Sequence, residues 1–204
     1  MDIPYSYRVV ALLAAMAVMA GVDRYRKGAQ AVRHLEYGYI LCCGIVAGAL
    51  GAANDYFTSN LSPEYFILGK GLESAGAKAV MLGAEAGFSA GVIAGGLCLF
   101  AVGARRPSWR RMLQALAVPV GGALAAGAIC GLTCAGLDPM NWSATLSDMM
   151  TAEQLARFRR VWWIHTGLYA GLTVGLTAMI LLLRRWGKAQ KLSSAAPDSV
   201  ILSP

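Results

Sequence analysis

The sequence predicts an all-α integral membrane helical bundle with four core transmembrane helices and a fifth helix at the N-terminus. Three observations predict it. Hydrophobic residues make up 57% of the 204 residues and charged residues only 14%, where a soluble domain carries roughly 25% charge. The deficit is concentrated in four long apolar runs, near residues 37–54, 79–103, 112–137 and 161–183. Each approaches the roughly 20 apolar residues that a helix needs to cross a bilayer. Third, the cations collect between these runs and are divided unevenly between the two sides.

A fifth run, residues 5–22, is shorter. A secretory signal normally begins with a cationic stretch, but Met1–Tyr7 holds Asp2 and no Lys or Arg. The run is therefore read as a retained helix. Residues 1–192 then form one transmembrane domain, and residues 193–204, rich in Ser, Ala and Pro, are expected to be a disordered cytoplasmic tail.

Charge sets the orientation. Arg24, Arg26, Lys27 and Arg33 follow the first span, Arg105, Arg106, Arg110 and Arg111 precede the fourth, and Arg184, Arg185, Lys188 and Lys191 follow the fifth. On the opposite side stand Arg8, Lys70, Lys78, Arg157, Arg159 and Arg160. Twelve against six places the first set in the cytoplasm, with the N-terminus outside and the C-terminus inside. The tryptophans, Trp109, Trp142, Trp162, Trp163 and Trp186, fall at span ends or in loops, where an aromatic belt belongs. The net charge of +7 is then the positive-inside signature. The lipid bilayer explains it without a nucleic-acid partner.

All five cysteines, Cys42, Cys43, Cys98, Cys130 and Cys134, lie inside spans, so no disulfide framework is expected. Cys130 and Cys134 share a helix face, as metal-binding thiols would. Small buried residues are the commoner reading.

The strongest periodic signal is a small residue at every fourth position, the GxxxG pattern. Span 2 has Gly44, Gly48 and Ala52, and span 3 has Gly83, Gly87, Gly91 and Gly95. Span 4 has Gly127, Gly131 and Ala135, and span 5 has Gly167, Gly171 and Gly175. Residues four apart share one helix face, and such flat grooves let helix backbones approach closely in lipid. Tight packing inside the bundle is the plainer reading, and a sliding surface or homo-oligomer contact is the sharper one. Span 1 has only Gly21, which suggests a peripheral place. Pro119 inside span 4 predicts a kink.

The two outer loops carry helix starts. Ser62-Pro63-Glu64 places a cap, a proline and an acid at the head of a short apolar helix that ends near Gly69. Thr151-Ala152-Glu153-Gln154 is a capping box that begins a helix continuous with span 5. The sequons at Asn60 and Asn141 are chance matches in a composition that looks bacterial.

Ionisable groups inside spans are costly and draw attention to function. Glu85 lies about 8 Å inside the outer end of span 3, and His165 lies at a similar depth in span 5. Asp55 is expected to cap the outer end of span 2, Glu64 to overhang it, and Tyr169 to lie one turn below His165. Together these five residues are the candidate ion or proton site. Asp55, Glu64, Glu85 and His165 could alternatively ligate a divalent metal through oxygen and nitrogen, although no H-E-x-x-H spacing is present. A structural hydrogen-bonded pair made by Glu85 and His165 is the third reading.

Tyr37-Gly38, Asn54-Asp55, the Ser62-Pro63-Glu64-Tyr65-Phe66 loop and the late His165 resemble the motifs of an uncharacterised bacterial multi-pass inner-membrane family. The resemblance covers about residues 37–183. It implies a four-span core with the first helix added and a shared outer site, and it names no activity. Three functions stay open: transport of a proton, ion or small solute; a membrane-embedded metal site; and a non-catalytic assembly protein that binds another membrane protein. No inverted repeat or pair of broken helices is legible to favour transport.

Overall fold

The computed structural model describes residues 4–103 and 107–195, with side chains as far as residue 189. Among the described residues there is no strand. The helices are α1 (Tyr5–Lys27), α2 (Arg33–Leu61), α3 (Ala77–Val102), α4 (Trp109–Ala115), α5 (Ala117–Thr133), α6 (Trp142–Leu146) and α7 (Ala152–Ala195). A 3₁₀ turn, Gly28–Gln30, follows α1, and a π-helical turn, Tyr65–Gly69, follows α2. Five stretches are long and apolar enough to cross a membrane, α4 and α5 counting as one. Only 6–33% of the most apolar window of each is buried, so most of the apolar side chains face outward, as they do in a multi-pass membrane protein. Arg105 and Arg106 of the expected inner loop, and most of the expected tail, lie outside the described residues.

Helix boundaries correct the sequence reading in two places. The second span does not end at Asn54-Asp55. It continues through polar and aromatic residues to Leu61 and stops before Ser62-Pro63, because the residue before a proline avoids helical backbone. The fourth span, where Pro119 leads one to expect a kink, is broken into α4 and α5 at Leu116. Pro119 lacks the N–H that would bond to the Ala115 carbonyl and its ring crowds that carbonyl, which puts the break one turn ahead of the proline. The last helix runs to Ala195, so residues 193–195 belong to it and not to a tail.

The chain divides into two compact units. The first comprises α1, α2 to Tyr56, and α3 to Gly96. Its seam joins α2 to α3. A Cβ on Gly91 would strike the Cys43 carbonyl and lie 2.8 Å from Ala47 Cβ. One on Gly48 would lie 3.2 Å from the Ala84 carbonyl oxygen and 3.4 Å from Phe88 Cβ. Gly51, not the expected Ala52, meets Gly83 at the Asp55 end of this seam. Contact points on an α-helix advance by 3.6 residues, so a strict count of four overshoots. α1 is peripheral, with only Met16 and Asp23 buried.

The second unit comprises α2 from Phe57, the π turn, α3 from Leu97, and the described residues that follow. Its seam joins α5 to α7 in the same way. A Cβ on Gly171 would strike the Gly122 carbonyl and lie 2.7 Å from Ala126 Cβ, and one on Gly127 would lie 3.3 Å from the Ile164 carbonyl oxygen and 3.6 Å from Leu168 Cβ.

These are the same seam twice. Cys43, Ala47 and Gly48 of α2 correspond to Gly122, Ala126 and Gly127 of α5, each 79 residues later. Ala84, Gly87, Gly91 and Gly95 of α3 correspond to Ile164, Gly167, Gly171 and Gly175 of α7, each 80 residues later. Even the far ends of the seams match, since Gly95 abuts Ile40 Cα and Gly175 abuts Pro119 Cα. In both seams the glycine hydrogen that replaces Cβ points at a carbonyl of the facing helix, a weak C–H to oxygen contact that recurs where helix backbones touch.

Candidate functional site

In the first unit, Asp55 sits in the α2–α3 seam. It is 6% exposed, and its carboxylate lies 2.7 Å from where a Cβ on Gly83 would be. That glycine is what makes room for an acid in the seam. Asn54 Nδ2 donates to Asp55 Oδ1 at 3.0 Å. Asp55 is therefore a buried mid-helix acid and not a helix-end cap. Glu85 follows two residues after Gly83, a turn of about 200° away, on the α3 face that α1 covers. Tyr5 donates its hydroxyl to the Glu85 carbonyl oxygen at 2.9 Å and lies 3.2 Å from Ser89 Oγ. The Glu85 side chain is partly exposed.

In the second unit, His165 is 5% exposed. Its ring stacks on Tyr65 at 4.8 Å with a 26° tilt and meets Phe66 edge-on at 6.0 Å. His165 Nδ1 lies 2.9 Å from the Val161 carbonyl oxygen. A carbonyl can only accept, so Nδ1 donates this bond. Tyr169 is exposed, with its ring 6.4 Å from His165. It lies on the rim of this cluster.

Glu64 is held at the head of the π turn. Ser62 Oγ donates to Glu64 Oε2 at 2.9 Å, and Gln154 Nε2 donates to Oε1 at 2.9 Å. Gln154 closes the capping box of α7 at the same time: its side chain accepts from Thr151 N–H at 2.9 Å, and its own N–H donates to Thr151 Oγ1 at 3.3 Å. One glutamine thus starts α7 and anchors the π turn to it. Phe158, 1% exposed, packs its ring against Tyr65, with centroids 5.5 Å apart, and against Trp142, at 5.3 Å. The second outer segment is tied down by Asp138, which accepts the backbone N–H groups of Trp142 (2.7 Å) and Ser143 (2.8 Å).

Both carboxylates are held below their ordinary range. Burial raises the Glu64 carboxyl, but hydrogen bonds from its own N–H, Ser62 and Gln154, with Arg157 nearby, outweigh it and hold Glu64 below its ordinary value. Asp138 is lowered chiefly by Ser143, against a smaller opposing effect of burial, with the Trp142 N–H and Arg159 assisting. A lowered native pKa favours the charged form in the folded state. Its contribution is therefore present above the ordinary carboxylate range and is lost as pH falls through the native value. The thermal midpoint of wild type should exceed that of Glu64→Gln/Asp138→Asn at neutral pH, and the gap should close between about pH 5 and pH 2. A gap that stays constant over that range would show that neither charge matters.

The sequence-predicted residues thus divide by unit: Asp55 and Glu85 in the first, Glu64, His165 and Tyr169 in the second. Among the described residues no group of three or more His, Cys, Asp or Glu side chains is placed to hold a metal ion. The four-ligand set Asp55, Glu64, Glu85 and His165 gains no support there. The sequence reading missed Tyr65 and Phe66 as the walls of His165, Phe158 as the link between the outer segments, and Gln154 as the partner of Glu64. It also missed Asp23, a buried acid that accepts the N–H groups of Val32 (3.0 Å) and Arg33 (3.1 Å) at the head of α2. Compared with known protein families, characterised proteins and solved structures, the chain matches none.

Proposed function

We propose that this is a small transporter or channel component of the bacterial inner membrane that moves a proton, ion or small solute past a site near the outer face. The observation that supports it is the repeated seam. Internal structural repeats are one of the recurring plans of membrane transporters. Glu85 and His165 occupy equivalent positions in the repeat, each two residues before a seam glycine, Gly87 and Gly167. One ionisable residue at the same register of each copy suits proton handling. The charge bias puts both at the outer end and the C-terminus in the cytoplasm.

The test is proton flux into proteoliposomes under an imposed pH gradient. Wild type should dissipate the gradient, and Glu85→Gln and His165→Gln should each slow it by about tenfold or more. Flux that stays flat across protons, sodium, potassium and pH would sink the reading. The close aromatic packing of His165 supports a second reading, a non-catalytic assembly protein whose outer segments bind another membrane protein. A stoichiometric partner on mild purification, together with flat flux, would favour it.

A further inference from the structure

The α1–α2 corner of the first unit holds a cleft of about 370 Å³ that the proposed transport does not use. This falls within the roughly 300–1,000 Å³ usual for small-ligand sites. Its mouth carries Arg26, Lys27 and Arg33 against one carboxylate, Asp23. That carboxylate is already engaged: it accepts two backbone N–H groups and pairs with Lys27 at 3.0 Å. Arg33 pairs with Glu36 at 3.0 Å yet keeps half of its side chain exposed, and Arg26 is exposed. The mouth therefore has surplus positive charge. The rest of the cleft is apolar. Val18, Met19 and Val22 line the α1 side, all substantially exposed, and the Tyr37 hydroxyl closes onto Met19 Sδ at 3.4 Å. Val18 lies eight residues before Arg26, which is about 12 Å along the helix. The cleft thus runs from a cationic rim into the depth of the acyl chains.

We infer that this cleft is a binding site for one anionic glycerophospholipid of the adjacent leaflet, with its phosphate on Arg26 and Arg33 and an acyl chain along Val18, Met19 and Val22. Charge complementarity selects the occupant. A free phosphate would satisfy the rim and leave the apolar floor uncovered, and a zwitterionic lipid would bring an ammonium against the arginines. Basic pockets between spans hold acidic headgroups for the same reason.

The experiment is native mass spectrometry of the full-length protein in mixed micelles, titrated with phosphatidylglycerol or phosphatidylcholine. One phosphatidylglycerol per chain should be retained in preference to phosphatidylcholine. Arg26→Gln should weaken its retention about fivefold, and Arg26→Gln/Arg33→Gln about 25-fold. Val22→Trp, which fills the cleft without touching a charge, should displace the lipid too. Arg110→Gln/Lys188→Gln removes the same charge from exposed positions elsewhere and should change nothing. The inference is overturned by equal weakening in the two double variants, by equal retention of the two lipids, by displacement with inorganic phosphate, or by full retention in Val22→Trp.

Discussion

Gly171→Leu is expected to be among the most damaging single substitutions in the chain, and Gly121→Leu to be nearly silent. Both put the same side chain into the α5–α7 pair. At Gly171 the new Cβ would fall on the Gly122 carbonyl and 2.7 Å from Ala126 Cβ, whereas at Gly121 nothing lies within 4 Å. Backbone cannot rotate aside as a flexible side chain does, so α5 and α7 must separate along the seam. Overpacking typically costs about 1–3 kcal/mol, occasionally more, and backbone contact places this case at the upper end. In detergent that corresponds to a fall in thermal midpoint of roughly 5–10 °C. Lipid supplies no hydrophobic drive between helices, so the close backbone packing that the leucine blocks is what held this pair together. The repeat makes the prediction stricter. Gly91→Leu, at the equivalent point of the α2–α3 seam, should cost about as much, and Gly96→Leu, with open space around it, should not. If Gly171 and Gly121 variants melt together, the seam does not hold the unit.

Much of this fold could be read before any coordinates, and the reasons are local. An apolar run of 20 residues has few alternatives to a spanning helix, and glycines four apart state which face will be close to a neighbour. The end of α2 was harder. Asn54, Asp55 and Asn60 look like the start of a loop, and only the Ser62-Pro63 step stops the helix. The repeat was hidden because its copies share little beyond glycine. Register lives in the pairing of Cys43 with Gly91 and of Gly122 with Gly171, and a pairing has no signature in a single strand of sequence. The surroundings of His165 were hidden for a related reason. Tyr65 and Phe66 lie a hundred residues away and read as an apolar interfacial turn, while Phe158 sits among Arg157, Arg159 and Arg160 and looks like part of a solvated charged face. Arg160 is exposed and Arg157 partly so, while Arg159 turns toward Asp138 and the ring of Phe158 is buried.

Phe158→Ala should release both outer segments of the second unit together. The ring is 1% exposed and contacts both Tyr65 of the π turn and Trp142 of α6. Gly69, which ends the π turn, also rests on it, with a Cβ there 3.3 Å from Phe158 Cζ. Removing a buried phenylalanine costs about 3–5 kcal/mol, or roughly 10 °C in midpoint. The loss should not stop at the melting curve. With Phe158 gone, Glu64 remains tied to Gln154 and Asp138 to the α6 backbone, so each segment keeps its own polar anchor and loses the shared apolar one. Backbone amides of residues 62–76 and 138–151 should then exchange with deuterium together, while those of the α5–α7 seam stay protected. Phe158→Leu, which refills most of the space, should restore most of the protection. Exchange that rises in one segment alone would mean that the segments are stabilised independently and that Phe158 belongs to only one of them. Exchange that rises along α7 into the seam would mean instead that the outer cluster and the membrane-spanning pair unfold as one.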